Sequence, residues 1–421
     1  MKVSNSTVVE AYDRLVAEGV IQARRGSGFY VAPHTAPLSI ARIGPKLDRA
    51  IDPFWVSRQS LDARPDMLKP GCGWLPADWM PETAIRRALR KLSRADDATL
   101  VDYGTPLGLA SLRHFLSRRM AGYGIDAHPD HLLLTESGTQ AIDMLCRFLI
   151  APGDTVLVDD PCYFNFQALL RAHRANIVGV PFTENGPDVG AFARIAVTTK
   201  PRLYITNSGL HNPTGASLSP MVAHQVLNIA EQHDLIIIED DIFADFENTP
   251  APRLVALGGL ERVIHIGSFS KTLSASVRCG YIAASADWID GLTDLKIATG
   301  FSGPNLSAEL IFAVLKDGTY RKYMETLRDR LARTMTITET RLRNLGITPA
   351  INPDAGLFLW CRLPDHMDAA TLARNALSDG VVLAPGNVFS ISQTAGNLMR
   401  FNVAQCQDER IFRVIERALE K

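Results

Sequence analysis

The chain has 421 residues, of which 46% are hydrophobic and 21% are charged, a composition typical of a globular protein with about two or three domains. Its formal net charge of -1 excludes a strongly basic or acidic protein, so a nucleic-acid-binding surface would have to be local. The six cysteines include no C-x-x-C pair, which argues against a disulfide framework or a zinc site. We find no apolar run of the roughly 18 residues needed to span a membrane and no signal peptide at the start, so we expect a cytoplasmic protein.

The first thirty-odd residues have the pattern of a separate small unit. Between residues 7 and 18 the apolar side chains recur at helical spacing. Residues 20–31 then form two short strand-like runs around a glycine-rich tip, which predicts a β-hairpin. A helix followed by a two-stranded ribbon is the second half of a winged helix. Residues 32–69 contain several prolines and little periodicity, so we predict a linker there.

The stretch Ser6-Thr7-Val8-Val9, with Ala17-Glu18-Gly19 and Arg25-Gly26-Ser27-Gly28 after it, resembles the recognition helix and wing of GntR-type winged-helix regulators. The resemblance covers about the first 31 residues and begins in the middle of that module, so we expect a truncated DNA-binding unit or one that has lost DNA binding. It implies DNA contacts at the start of the helix and in the wing. The implied contact residues are Asn5, Ser6, Thr7, Arg24 and Arg25.

From about residue 70 onward, short apolar runs alternate with longer amphipathic stretches. The runs cover residues 132–134, 155–158, 203–206, 235–238 and 263–266, and polar or glycine-rich turns follow them. Such an alternation predicts an α/β protein whose mostly parallel sheet is covered by helices on both faces. Ligands in these sheets bind beyond the carboxyl ends of the strands, so residues that follow the runs are the candidates for a site.

The segment Ser268-Phe269-Ser270-Lys271 directly follows the last of these runs, and Arg278 follows seven residues after the lysine. A lysine amine forms an imine with an aldehyde, and pyridoxal 5'-phosphate (PLP) is the aldehyde cofactor that carries a phosphate. Serine hydroxyls and a guanidinium group are suited to hold that phosphate. Taken alone, however, a lysine in a loop is more often a solvated surface charge.

Four other segments after predicted strands suit the same cofactor. Gly138-Thr139 opens a helix whose N-terminus favours an anion, and Tyr163 could stack on a planar ring. Asn212 could donate to a ring oxygen, and Asp240 could keep a pyridine nitrogen protonated. Strand alternation places Asp240 on the opposite face from its acidic neighbours. Each segment alone also fits an ordinary helix cap, core tyrosine, turn or acidic loop.

The order of these segments resembles the class I/II aminotransferases of the aspartate-aminotransferase fold, from about residue 70 to the C-terminus. The resemblance implies that Lys271 carries PLP as a Schiff base and moves a substrate proton. It implies that Arg400 binds a substrate α-carboxylate, and that Tyr103 reaches the phosphate of a neighbouring subunit in a homodimer. The remaining implied contacts are Asp240 with the pyridine nitrogen, Asn212 with the ring oxygen and substrate, Tyr163 stacked on the ring, and Gly138, Thr139, Ser268 and Arg278 with the phosphate.

We therefore expect a partial winged helix over residues 1–34, a linker over 35–69, a PLP-binding large domain over 70–300 that begins with a segment of the small domain, and a smaller α+β domain over 301–421.

One departure from the family pattern concerns the residues after Asp240. A tyrosine that donates to the cofactor's ring oxygen is usual there, whereas this chain has Ile242 and Phe243. We expect its loss to raise the pKa of the bound cofactor.

A winged-helix segment joined to an aminotransferase-like body resembles the MocR subgroup of GntR regulators over the whole chain. Three functions follow from this resemblance. The first is a transcriptional regulator that senses PLP or an amino-acid adduct, and the second is an active aminotransferase that uses an amino acid and a 2-oxo acid. The third is another PLP reaction, such as that of a lyase or decarboxylase, because the bond broken depends on how the substrate lies over the ring.

Overall fold

The structure, a computed structural model, describes residues 4–17, 20–24, 28–31 and 53–420. The chain divides into two compact units, residues 1–50 and 51–421.

The described part of the first unit contains the predicted helix and ribbon. Helix α1 (Asn5–Ala17) is followed by strands β1 (Ile21–Arg24) and β2 (Gly28–Val31), which pair antiparallel. The Ser4 hydroxyl accepts a hydrogen bond from the backbone N–H of Thr7 at 3.2 Å and so caps the helix. Tyr12 of α1 stacks on Phe29 of β2 with ring centroids 4.5 Å apart, which fastens the helix to the ribbon.

The second unit is built on an eight-stranded sheet with the order β3-β10-β9-β8-β7-β4-β5-β6. Strands β4, β5, β7, β8 and β9 pair parallel to one another, whereas β10 is antiparallel to β3 and β9, and β6 is antiparallel to β5. The mostly parallel sheet expected from the sequence is confirmed. The strands are β3 (Leu132–Thr135), β4 (Thr155–Asp160), β5 (Asn176–Thr183), β6 (Gly186–Pro187), β7 (Leu203–Thr206), β8 (Ile236–Asp240), β9 (Val263–Ser268) and β10 (Gly280–Ala283).

Helices cover both faces of this sheet. Successive side chains of β3 alternate between two buried clusters, with Leu132 and Leu134 in one and Leu133 in the other. The helices of the second unit are α2 (Pro53–Leu61), α3 (Glu82–Leu92), α4 (Asp97–Val101), α5 (Ala110–Ala121), α6 (Gly138–Leu149), α7 (Phe164–Ala172), α8 (Val189–Thr199), α9 (Pro220–Gln232), α10 (Leu254–Gly258), α11 (Ala286–Gly300), α12 (Asn305–Lys316), α13 (Thr319–Asn344), α14 (Ala369–Ser378) and α15 (Glu409–Leu419).

A second, antiparallel sheet lies in the C-terminal part of the chain, with the order β11-β12-β14-β13. Its inward side chains, such as Leu359 and Phe401, are fully buried and form a core with the inner faces of α13, α14 and α15. Its strands are β11 (Thr348–Pro349), β12 (Phe358–Arg362), β13 (Ala384–Pro385) and β14 (Leu398–Asn402).

Helix α2 lies within the segment for which the sequence predicts a linker. Val56 and Ser60, one helical turn apart, are each only 1% exposed, so this helix packs with one face against the body. Further along, Gly71 donates its backbone N–H to Val382, and Asn402 donates to Pro70. The segment that precedes the large sheet is thus fastened to the C-terminal sheet. Because the segment contains several prolines and only one apolar helical turn, the spacing of its apolar residues does not predict these contacts.

Candidate active site

Nine of the ten residues predicted to contact cofactor or substrate line one cavity of about 230 Å³. The cavity lies beyond the carboxyl ends of the parallel strands, as expected for this class of sheet. The tenth residue, Tyr103, lies elsewhere on the surface, 82% exposed, with its ring centroid 5.7 Å from that of Phe301. The nine that line the cavity are Gly138, Thr139, Tyr163, Asn212, Asp240, Ser268, Lys271, Arg278 and Arg400.

Lys271 follows β9 in a short turn and presents its amine to the cavity. Burial, together with the positive charge of Arg400, lowers the pKa of this amine from 10.5 to about 8. Gly73 lies beside the amine, because a Cβ atom placed on that glycine would be 3.8 Å from Lys271 Nζ, an ordinary contact distance. An amine with a pKa near 8 is partly unprotonated at neutral pH and can act as a nucleophile or a base.

Asp240 is the last residue of β8, and its carboxylate faces the cavity. Burial raises its pKa from 3.8 to about 7, although the backbone N–H of Ile242 donates to Oδ1 at 3.1 Å. The neighbouring acids face away from the cavity, as strand alternation predicts. Glu239 accepts the backbone N–H groups of Leu254 and Val255, and Asp241 pairs with buried Arg253 at 2.8 Å. Asp240 itself forms no salt bridge among the described residues, and a protonated ring nitrogen would provide one.

Small and hydroxyl residues form one end of the cavity. Helix α6 starts at Gly138, and the Ser137 hydroxyl caps it by accepting from the backbone N–H of Gln140 at 3.1 Å. The free N–H groups and the dipole of this 12-residue helix favour an anion. A Cβ atom on Gly280 would be 2.7 Å from the carbonyl carbon of Ser137, so only glycine lets β10 approach the helix start this closely.

The loop after β9 adds further hydrogen-bond donors to this end of the cavity. The hydroxyls of Ser268 and Ser270 lie 2.9 Å apart, and Arg278 Nη1 approaches the Ser270 hydroxyl at 3.5 Å. Arg278 is exposed and adopts a positive φ of 38°, which is rare for a side chain of this size. The helix start, the two hydroxyls and the guanidinium together supply the donors that a phosphate group requires.

Arg400 of β14 is 1% exposed and lies between two aromatic rings, with its guanidinium carbon 4.4 Å from the Phe358 centroid and 4.7 Å from that of Phe389. Its Nη1 donates to Asn212 Oδ1 at 2.7 Å, and its Nη2 donates to the Gly71 carbonyl at 2.7 Å. Burial lowers the pKa of the guanidinium from 12.5 to about 10, and its Nε has no hydrogen-bond partner. A buried cation with an unpaired donor at a cavity wall is suited to bind a carboxylate.

Asn212 and Tyr163 reach the same cavity from two different strand ends. The Asn212 backbone N–H donates to Asn207 Oδ1 at 2.9 Å, while Asn207 Nδ2 donates to the Asp240 carbonyl. These bonds connect the loops after β7 and β8. The Tyr163 ring packs on Phe164 with centroids 5.0 Å apart. Phe243, one of the two positions after Asp240 at which the resemblance leads us to expect a tyrosine, is 4% exposed and packs edge-on against Phe358.

Several residues in and around the cavity wall could not be recognised from the sequence. Gly73 and Trp74 lie between two prolines in a stretch without periodicity, and only their position before the large domain could have drawn attention to them. Phe358 and Phe389 pack on Arg400 from distant parts of the chain, which no local pattern reveals. The residues of α2 that line the cavity are Val56, Ser57, Ser60 and Leu61.

The residues expected to contact DNA belong to the first unit. Asn5, Ser6 and Thr7 form the exposed first turn of α1, and the hydroxyls of Ser6 and Thr7 both contact the Ser4 hydroxyl. Arg24 is the last residue of β1, and Arg25 lies outside the described residues. The helix start and the ribbon are thus present in the order that the sequence predicts.

Comparison with known proteins identifies the family of the chain. The family profile described as aminotransferase class I and II matches residues 76–417. The chain belongs to the class I and II aminotransferase family. A second profile, that of the bacterial regulatory proteins of the gntR family, matches residues 1–31. The HTH-type transcriptional regulator YdcR of Escherichia coli is 30% identical over 415 residues, which cover 96% of this chain and 88% of that protein.

The combination of a GntR segment with an aminotransferase-family body is that of the MocR-type HTH regulators, to which the chain is related over nearly its whole length. NorG of Staphylococcus aureus, another HTH-type transcriptional regulator, is 25% identical and is covered to 89% of its length. Among solved structures, the chain resembles the α-aminoadipate aminotransferase LysN of Thermus thermophilus, which was solved in complex with N-(5'-phosphopyridoxyl)-L-leucine. The two structures superimpose with a TM-score of 0.78 at 25% identity, and the match covers 87% of this chain and 94% of LysN.

The kynurenine aminotransferase of Pyrococcus horikoshii, solved with pyridoxamine phosphate (PMP), has the same fold, with a TM-score of 0.79 at 23% identity over 91% of this chain and 97% of that one. Class I and II aminotransferases depend on PLP in general and are typically dimers, and GntR-type regulators bind DNA. Among the described residues, no helix of this family member has the length and apolar character needed to cross a membrane.

Proposed function

We propose that this chain is a PLP-binding transcriptional regulator of the MocR type, in which the aminotransferase-family body binds an amino acid. The observation that carries the proposal is one cavity lined by Lys271, Asp240, Arg278 and Arg400, on a chain whose first 31 residues match the gntR family. The residues present fit the cofactor, because an amine, a carboxylate that forms no salt bridge within the described chain and a set of phosphate donors all face the same space.

The chain's own side chains would divide the work as follows. Lys271 would hold the cofactor covalently through Nζ, and Asp240 would keep its ring nitrogen protonated. The phosphate would bind at the start of α6 and the loop after β9, with Gly138, Thr139, Ser268 and Arg278 as donors. Tyr163 would stack on the ring, and Asn212 would donate to its phenolic oxygen. When bound, PLP supplies an aldehyde for amines and a ring that accepts electrons.

Arg400 would bind the α-carboxylate of the amino acid. Arg400 lines the cavity, its Nε has no hydrogen-bond partner, and the Phe358 and Phe389 rings pack against its guanidinium group. In an environment that excludes water, this cation attracts a carboxylate more strongly than it would in bulk solvent. Tyr103 does not line the cavity of its own chain, and we propose that it contacts the phosphate in a second copy within a homodimer.

We propose that the first unit binds DNA through Asn5, Ser6 and Thr7 together with Arg24 and Arg25. The test measures DNA affinity against salt, with fragments from around the protein's own gene, for this chain and for a version extended by the helices that precede the recognition helix in GntR-type modules. Specific binding that falls steeply with salt is expected for the extended version. Equally weak, salt-insensitive binding by both versions would contradict the regulator proposal.

Transamination is a second candidate function, because Lys271 combines a pKa of about 8 with a position in the cavity that Arg400 also lines. An amine of this kind can move a proton at the substrate α-carbon. The experiment incubates the holoprotein with a panel of amino acids and measures released 2-oxo acid together with the cofactor's absorbance. Conversion of the cofactor to PMP with release of a 2-oxo acid supports transamination, whereas a stable bound form without product supports a sensor.

A further inference from the structure

The cavity has a wall that the assigned cofactor and carboxylate contacts do not use. One face of helix α2 supplies Val56, Ser57, Ser60 and Leu61 to the lining. Because these residues are spaced by one helical turn, they form a single continuous surface. Helices α6 and α7 contribute Ile142 and Phe164 to the same lining, and these residues are 2% and 8% exposed.

The Ser60 hydroxyl is the unusual group in this wall. Ser60 is 1% exposed, and its Oγ has no hydrogen-bond partner. Buried hydroxyls are nearly always paired, because leaving one without a partner costs free energy. A hydroxyl without a partner in the lining of a ligand cavity is explained if the ligand itself supplies that partner. Its neighbours Val56 and Phe164 are apolar and cannot do so.

The charges of the cavity limit what the ligand can carry. Within the described lining, the charged side chains are Asp240, Lys271, Arg278 and Arg400, and each already has a place with the cofactor or the α-carboxylate. No cation is left in that lining for a second carboxylate, and no anion is left for a second ammonium group. A charged ligand side chain would therefore lose its water without gaining a partner.

We propose that the wall formed by α2 recognises the side chain of the amino acid, and that this side chain is uncharged, mainly apolar, and bears one hydroxyl or amide group that pairs with Ser60. The inference rests on the amino-acid site proposed above and specifies its ligand class. Val56, Ile142 and Phe164 bind the apolar part of the side chain, and Ser60 is the residue that determines specificity.

The test uses the PLP-loaded full chain and two pairs of amino acids that differ by a hydroxyl in place of a methyl group, namely threonine with valine and homoserine with norvaline. Glutamine and glutamate form a third pair that differs in charge. Binding is measured by calorimetry and by the change in the cofactor's visible absorbance. The variants are Ser60→Ala and, as a control on the same helix, Arg58→Ala, whose side chain is exposed.

For the wild type we expect the hydroxyl member of at least one pair to bind about fivefold more tightly than its methyl counterpart. We expect glutamine to bind about 100-fold more tightly than glutamate. Ser60→Ala should remove the hydroxyl preference while leaving the affinity for the methyl members within about twofold, and Arg58→Ala should keep it.

Three results would overturn the inference in distinguishable ways. Glutamate binding as tightly as glutamine would show that another cation serves the site, and a hydroxyl preference that survives in Ser60→Ala would exclude this residue as its cause. In both cases the amino-acid site itself would stand. If no amino acid binds or alters the absorbance of the loaded protein, the proposed function fails and this inference fails with it.

Discussion

Replacement of Asp240 by asparagine should stabilise the cofactor-free protein and weaken its hold on the cofactor. Burial raises the pKa of this carboxyl group from 3.8 to about 7, so the folded state disfavours the charged form. Asparagine has nearly the same shape and keeps an oxygen for the backbone N–H of Ile242, which donates to Asp240 Oδ1 at 3.1 Å. The substitution therefore removes a buried charge without removing its hydrogen bond.

The size of the effect follows from the shift of the pKa. A carboxyl group whose pKa is raised on folding binds its proton more tightly in the native state, so its contribution to stability falls as the pH rises from about 4 to about 7. The destabilisation by Asp240 should amount to about 2 kcal/mol at pH 5 and to about 4 kcal/mol at pH 8. We therefore expect the stability advantage of Asp240→Asn over the wild type to grow by about 2 to 3 kcal/mol between these pH values.

Urea unfolding of the cofactor-free proteins at pH 5, 6.5 and 8 measures this difference. Asp241→Asn is the matched control, because its carboxylate pairs with buried Arg253 at 2.8 Å, and losing that pair should destabilise the protein by about 3 kcal/mol. With cofactor added, Asp240→Asn should bind PLP at least about tenfold more weakly. If the two proteins differ by the same free energy at every pH, or if Asp240→Asn is the less stable at pH 8, the argument from burial is refuted.

Four further predictions concern the cavity. Lys271→Ala should abolish the mass increase that borohydride reduction produces in the PLP-loaded protein. Lys296→Met is the control and should keep this mass increase, because the Lys296 amine donates to two carbonyl groups outside the cavity. The rate of covalent capture by the wild type should rise with pH around 8, since only the unprotonated Lys271 amine reacts, and a flat profile would contradict the lowered pKa. Gly73→Val should weaken amino-acid binding at least about tenfold, whereas Gly73→Ala should be tolerated. A Cβ atom at this position lies 3.8 Å from both Lys271 Nζ and Arg400 Nη2, so only the larger valine side chain extends between these two groups. Phe243→Tyr should lower the pH at which the bound cofactor changes colour, and identical titration curves for variant and wild type would show that the absent phenol does not matter.

The fold of the second unit could be predicted largely from the sequence, because its central strands are buried on both faces. A run such as Leu203-Tyr204-Ile205-Thr206 is buried throughout and ends where the loop toward Asn212 begins. Since parallel strands end at the same edge, the residues that follow them had to lie close together. The common edge of the parallel strands explains why Asp240, Lys271 and Asn212 line one cavity.

The rest of the site depends on packing between distant segments, which leaves no local pattern. Helix α2 is short and lies among prolines, so its two buried positions, Val56 and Ser60, do not form a detectable period. The aromatic pair around Arg400 comes from β12 and the turn after β13. The Ser60 hydroxyl without a partner could not be found from sequence at all, because an unsatisfied group is defined by its surroundings.

The hydrogen bonds that join residues 68–74 to the C-terminal sheet have a consequence for dividing this protein into pieces. Arg400 Nη2 donates to the carbonyl of Gly71, so this stretch of chain also positions the arginine proposed to bind the α-carboxylate. A fragment that begins at residue 70 would discard the α2 wall and would leave this stretch as a loose end beside the site. A fragment that begins at residue 51 would keep both, and comparing the two for amino-acid affinity would show how much of the recognition depends on these twenty residues or so.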